Sequence, residues 1–275
     1  MSIIGRPLLR LEDPPLLVGK ARFVADLAHE GALHMRVVRS PVAHGVLRGI
    51  AIDAARRAPG IAAVWTAADI AHLPPIEFRE GPIAALAPYR QPVLARERVR
   101  YVGEPVALVF ADDPYRAEDA ASLVALEIDP LRPLMEAAAA PGEFAPGRST
   151  EATVEVKEYG DVAAAFRAAY TVVALELAIG RHSGVPLETR GALAVLDQAT
   201  GVLALHGAAK VPHRNREALA RMLGRDPARL HLHEAHVGGG FGVRGEIYPE
   251  DVLVCAAALA LGRPVRWIED RREHL

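Results

Sequence analysis

The stretch "HVGGGFGVRGEIYPED", residues 236–251, decides how this chain is read. Gly238, Gly239, Gly240 and Gly242 surround Phe241, and a segment with helical character follows. Glycine is selected where a backbone must reach φ > 0 or where another group must approach the main chain. The helix start that follows exposes N–H groups, which suit an anionic or oxygen-rich ligand. The stretch thus predicts a close approach of something to bare backbone.

Gly240, Gly242 and Gly245 also match the G-x-G-x-x-G spacing of a dinucleotide-binding turn, and Glu269 and Asp270 end the next candidate strand. Three features oppose that reading. "RLHLHEAHV" (229–237) alternates leucine with histidine, whereas a central parallel strand should be continuously apolar. Pro249 starts the helix too late for the third glycine to pack closely, and no second nucleotide-binding half follows. Two other segments, "RHSGVPLETRG" (181–191) and "AAKVPHRNR" (208–216), are polar strand ends that sheet pairing could bring to the same place.

Composition narrows the remaining classes. The 275 residues are 51% hydrophobic, enough for a substantial core. Lys and Arg number 32 against 34 Asp and Glu, so no electrostatic footprint for nucleic acid or an anionic membrane is expected. Neither a secretion signal nor a membrane span is expected, and the sequence reads as cytoplasmic. The single cysteine, Cys255, lies in the apolar run "VLVCAAALALG" and reads as a buried structural thiol.

Along the chain, strands are expected in "ALHMRVVRS", "YVGEPVALVFA" and "PVRWIED", and helical spacing runs through "PYRAEDAASLVALEI". "IDAARRAPGIAAVWTAADI" reads as helix, turn, strand and a new helix start, and "IEFREGPIAALAPYRQPVLARERV" as an extended loop. An Ala/Pro/Gly-rich connector occupies 137–155. After it come a short helix in "GDVAAAFRAAY", a strand in "TVVALELAIGRH" (171–182), and an amphipathic helix, "HRNREALARMLG", closed by Gly224. Arg214, Arg216 and Arg221 read as the solvated face of that helix. His231 and His233 share one strand face while His236 falls on the other, so no metal site is expected there.

The ordered set "GRPLLRLEDPPLLVGKARFVADL", "VVRSPVAHG", "YVGEPVALV", "RHSGVPLETRGALA", "VPHRNR" and "VGGGFGVRGEIYPED" resembles the molybdopterin-binding large subunit of the xanthine dehydrogenase, aldehyde oxidase and aerobic carbon monoxide dehydrogenase family. The resemblance implies an α/β (α+β) chain: an N-terminal arm at 1–19, an α/β-hammerhead domain at 20–136, a linker at 137–155, and the first part of a molybdopterin-binding domain at 156–275. It implies that Gly239, Gly240, Phe241, Gly242, Arg244 and Lys210 face the cofactor. Lys210 stands where the family commonly has Gln, Arg244 where Lys is frequent, and His236 where Asp is frequent. Gly245 stands where purine hydroxylases carry a substrate-orienting Glu, which disfavours a purine, and Glu246 is a poor stand-in.

No catalytic residue is expected on this chain, because the resemblance places the general-base glutamate in a later portion; Glu188 and Glu250 are expected to be structural. The implied cofactor is molybdenum-molybdopterin, in the cytosine dinucleotide form, shared with a chain carrying the C-terminal half. FAD on a medium subunit and 2Fe-2S clusters on a small subunit complete the implied assembly. A non-catalytic subunit-docking protein is the alternative.

Overall fold

The computed structural model describes residues 3–78, 83–180, 182–207 and 211–275. In chain order its elements are α1 (Asp13–Leu17), β1 (Leu33–Arg39), β2 (Gly45–Ala51), α2 (Asp53–Arg56), β3 (Ile61–Thr66), β4 (Arg98–Val99), β5 (Pro105–Ala111), α3 (Pro114–Ala121), β6 (Ala125–Pro130), β7 (Glu143–Ala145), β8 (Arg148–Ser149), α4 (Val162–Ala168), β9 (Gly191–Leu196), β10 (Leu203–Gly207), α5 (Pro212–Met222), β11 (Leu230–His233), α6 (Pro249–Leu261), β12 (Val265–Ile268) and α7 (Arg271–His274). They fall into two compact units. The larger joins residues 1–77, 91–133 and 184–275; the smaller joins 78–90 and 134–183.

The larger unit is built on a seven-stranded mixed sheet ordered β11-β10-β9-β12-β1-β5-β3. Strand β5, "PVALVFA", is buried at every position, as a strand covered on both faces must be. In β1, Leu33, Met35 and Val37 alternate into the core. Strand β12 pairs parallel to β1, with Leu33 opposite Val265, and antiparallel to β9. Strands from both ends of the chain therefore share one sheet and one core. Helix α6 lies against β9 and β12 and is apolar nearly all round, with residues from Val252 to Ala258 buried. It begins at Pro249, and Gly262 ends it in the left-handed region at φ 63°. A separate three-stranded sheet, β4-β2-β6, belongs to the same unit.

The sheet order excludes the dinucleotide-binding reading. Strands β11 and β12, joined through α6, are separated by β10 and β9, whereas a Rossmann βαβ unit places them side by side. Three other expectations need correction. The periodic run "PYRAEDAASLVALEI" splits at Ser122, where α3 ends and the β-branched "ALEIDP" pairs with β2 as strand β6. Residues after Thr66 form turns rather than a new helix. The strand expected at 171–182 is not formed: residues 171–180 carry no regular secondary structure, no ladder joins them to another described residue, and the next ladder begins at Gly191.

In the smaller unit, β7 and β8 form a two-stranded ribbon, with Tyr89 donating from its hydroxyl to the Ser149 carbonyl at 2.7 Å. The ribbon falls within the expected connector at 137–155. Part of the expected loop after Ile76 is a 3-10 turn, Ala84–Tyr89. Helix α4 is capped by Asp161, whose carboxylate accepts from Ala164 N–H at 2.8 Å. Among the described residues, no helix is long and apolar enough to cross a membrane.

Candidate functional site

The glycine loop is held against residues 184–189, the segment leading into β9. Gly238 N–H donates to the Glu188 carboxylate at 2.8 Å, and Glu188 N–H donates to the Gly238 carbonyl at 3.2 Å. Arg244, 4% exposed, closes the other side of the loop. Its guanidinium donates to the carbonyls of Glu188 and Thr189 at 2.5 and 2.9 Å and pairs with the Glu188 carboxylate at 3.2 Å. Burial lowers the Arg244 pKa, outweighing the nearby Glu188 charge. From the opposite side, Arg271 on α7 donates to the carbonyls of Pro186 and Leu187. The 184–188 segment, with few ladder bonds of its own, is thus held by Arg271 at Pro186 and Leu187 and by Arg244 at Glu188.

Each glycine has a different reason to be there. A Cβ on Gly238 would sit 2.5 Å from Glu188 Cβ, and one on Gly184 would sit 2.7 Å from Phe241 Cβ. Gly239 combines φ 108° with Pro186 at 3.2 Å, and Gly242 requires φ 88°. Gly240 has neither constraint: its φ lies outside the left-handed region, and among the described residues nothing approaches its Cβ position within 4 Å. Beside it, Phe241 is 76% exposed at φ 45°. Phe241 and Val185 are the two non-glycine residues with positive φ among those described, and they belong to the two facing segments. Strained backbone of this kind persists where surrounding structure enforces it, commonly at ligand sites.

Under the loop lies a buried ion network. Arg190 pairs with Glu269 at 2.6 Å and Glu250 at 3.3 Å, and Glu250 also pairs with Arg39 at 2.8 Å. Its guanidinium stacks 4.2 Å above the Tyr248 ring. Tyr248 donates from its hydroxyl to the Val243 carbonyl, which ties the loop's far end to the network. Burial works to raise the Glu269 pKa, but the Arg190 hydrogen bonds overcome it and hold the group below the usual carboxylate range. Asp251 has no ion-pair partner among the described residues: burial pushes it up to about 6 against the weaker pull of Arg190 and Arg244, while Tyr248 N–H donates to it at 3.0 Å. Asp251 lines a cavity of about 30 Å³ with Leu205, Gly207, Asn215, Glu246 and Ile247, where the end of β10 meets α5 and the residues after the glycine loop.

Of the residues expected to face a cofactor, Gly239, Gly240, Phe241, Gly242 and Arg244 form one loop; Lys210 lies outside the described residues. Two of the three polar strand ends meet directly, and the third reaches the cavity through Asn215. Glu250 is a buried ion-pair partner, as expected. Glu188 was foreseen as structural but its reciprocal bond to Gly238 was not; the clue was its place in "PLETRG". Arg271 and Asp251 gave no sequence signal. His231 and His233 lie edge to face at 6.2 Å, His233 stacks on His206 at 4.7 Å, and His236 instead accepts from Arg22 N–H at 3.2 Å. Cys255 is fully buried, and that burial drives its thiol pKa up.

Two family models tile the chain: the aldehyde oxidase and xanthine dehydrogenase a/b hammerhead domain matches residues 18–132, and the molybdopterin cofactor-binding domain matches 145–275. The chain belongs to the aldehyde oxidase and xanthine dehydrogenase family. Within that family it is 40% identical to the gamma subunit of the 6-hydroxypseudooxynicotine dehydrogenase complex of Paenarthrobacter nicotinovorans, over 99% of this chain and 35% of that subunit. It is 37% identical to the nicotine 6-hydroxylase large subunit of the same organism, over 100% of this chain and 34% of that one. The crystal structure of quinoline 2-oxidoreductase from Pseudomonas putida 86 superposes with a TM-score of 0.82 at 35% identity, covering 99% of this chain and 35% of that one. The chain therefore spans about a third of the length of these relatives.

The loop suits the family's cofactor on its own geometry. Among the described residues nothing lies within 4 Å of a Cβ at Gly240, and Phe241 beside it is 76% exposed. Neither feature is explained by contacts among the described residues.

Proposed function

We propose that this chain is the N-terminal, cofactor-facing third of a molybdenum hydroxylase large subunit whose substrate is a nitrogen-containing aromatic ring. Gly240 carries the reading, because a glycine with ordinary φ and no neighbour within 4 Å among the described residues is accounted for by a group that lies on it from outside. Gly239, Gly240, Phe241 and Gly242 hold that group, with backbone N–H groups as donors and the Phe241 ring limiting water. Arg244 acts from beneath, by fixing Glu188 and Thr189. When bound, molybdenum-molybdopterin supplies the two-electron redox chemistry for a hydroxylation whose oxygen comes from water.

The relatives named for nicotine, 6-hydroxypseudooxynicotine and quinoline support this substrate class. Gly245, buried and without a side chain, offers a purine no carboxylate. On this reading the general-base glutamate belongs to the remaining two thirds of the subunit. The cytosine dinucleotide form of the cofactor, an FAD subunit and a 2Fe-2S subunit complete the proposal; a single cysteine on this chain cannot ligate a cluster.

The test is reconstitution with the remaining portion of the subunit, followed by molybdenum analysis. Gly240→Val is expected to remove molybdenum from the complex while the chain's own unfolding midpoint stays unchanged. Lys210→Gln is expected to keep the metal, since both side chains donate a hydrogen bond, and to shift the pH dependence of turnover through the lost charge. Normal molybdenum content in Gly240→Val would show that the loop is only a turn and would favour a docking role without catalysis.

A further inference from the structure

Residues 171–180, "TVVALELAIG", carry a strand's pattern without a strand's partner. Val173, Leu175, Leu177 and Ile179 recur at a period of two and are 75%, 78%, 81% and 86% exposed. Ala174 and Ala178 lie between them, and Glu176 is the segment's lone charge. Strict alternation of large aliphatic residues is the signature of a strand with one buried face. Among the described residues no backbone N–H of this segment donates to a backbone carbonyl. The ribbon in the same unit consists of strands of three and two residues, too short to accept a ten-residue neighbour.

We propose that residues 171–180 become a paired β-strand only when they add to an open sheet edge on the polypeptide supplying the rest of the large subunit. This rests on the reading of the chain as one third of such a subunit. Two observations select that occupant. The segment lies inside the 145–275 match to the molybdopterin cofactor-binding domain, so it belongs to the shared domain and is not an appended tail. The relatives that match it over nearly all of this chain carry about twice as much further polypeptide, which is where a complementary edge can reside. Strand addition supplies both missing elements at once: ladder bonds for the bare backbone and an apolar surface for the Val173-to-Ile179 face.

The experiment uses the 275-residue chain alone and mixed with the unmatched remainder of the P. nicotinovorans gamma subunit. Hydrogen exchange is read at the amides of residues 172–179. These amides are expected to exchange freely in the isolated chain and to slow by about 100-fold or more in the mixture. Leu175→Asp combined with Leu177→Asp is expected to weaken association by about 100-fold while leaving the thermal transition of the larger unit in place. The inference is overturned by protection already present in the isolated chain, by protection that grows with its own concentration and so marks a second copy, by failure to associate, or by a double variant that associates normally. Molybdenum content separates this from the cofactor proposal: a protected complex without molybdenum sinks that reading alone, and a molybdenum-loaded complex with unprotected amides sinks this one alone.

Discussion

Glu188 and Gly238 hold each other twice, carboxylate to N–H at 2.8 Å and N–H to carbonyl at 3.2 Å, so the glycine loop is registered on the segment before β9 as if by one rung of a ladder. Arg244 pairs with the same carboxylate at 3.2 Å. Removing the carboxylate therefore leaves the half-buried Gly238 N–H without its acceptor and the buried Arg244 guanidinium with backbone carbonyls alone. Glu188→Ala is expected to cost about 3 kcal/mol in urea unfolding, in the range for a broken buried pair. Glu188→Gln keeps an acceptor for Gly238 and should cost about 1 kcal/mol. Equal losses in the two variants would show that the Arg244 pair, not the Gly238 bond, carries the effect.

Gly238 and Gly240, two residues apart, should respond oppositely to the same added methyl. A Cβ at Gly238 meets Glu188 Cβ at 2.5 Å and cannot be relieved by a flexible chain end. Gly238→Ala is expected to destabilise the isolated chain by about 1–3 kcal/mol. Gly240→Ala meets nothing within 4 Å among the described residues and should stay within about 0.5 kcal/mol of the parent in the same denaturant titration.

The parts that sequence made legible share a property: their cause is local or carried by ordered motifs. The glycine loop, the Pro249 helix start and the Gly224 helix end follow from backbone chemistry at single residues. Strand β5 followed from the β-branched, mixed-polarity pattern of "YVGEPVALVFA". What was not legible depends on distant partners. Strand β6 forms because β2 lies beside it, with Ile50 opposite Leu126, against a helical spacing that continues from α3. Residues 171–180 have strand spacing but no neighbour to bond, and the adjacency of β1 and β12 joins residues more than 230 positions apart. At the site, the glycines announced themselves, while the carboxylate and arginines that brace them looked like ordinary surface charges.

Asp251 gives the chain a measurable pH signature. Its folded pKa, about 6, stands above the ordinary 3.8 because burial disfavours the charge. The folded state binds this proton more tightly than the unfolded one, so the associated stability is present below about pH 4 and is lost as pH rises through about 6. Asp251→Asn keeps an acceptor for Tyr248 N–H and removes the titration. The stability of the variant relative to the parent is expected to rise by on the order of 3 kcal/mol between about pH 4 and pH 7. Urea midpoints for both proteins at several pH values check this, and a pH-independent difference would place the carboxylate in a wetter site than the structure shows.

Arg190 is the cation on which two buried carboxylates depend. Glu250 and Glu269 are 1% and 3% exposed, and Arg190 reaches both, at 3.3 and 2.6 Å, while stacking on Tyr248 and Trp267. Glu250 keeps a second cation in Arg39, whereas among the described residues Glu269 keeps a hydrogen bond with His274, at 3.0 Å, and the backbone N–H of residue 190. Arg190→Ala should therefore act chiefly through Glu269, destabilising the chain by about 3–5 kcal/mol. If the stranded charge is the cause, adding Glu269→Ala should recover part of that loss, giving a coupling energy of about 1–3 kcal/mol in a double-mutant cycle. Arg190→Met with Glu269→Gln is the sharper comparison, since it removes both charges while keeping their volume above the Tyr248 and Trp267 rings. Strict additivity in either cycle would assign the cost of losing Arg190 to its stacking on those rings, and would leave the ion pair without a measurable part in holding the loop.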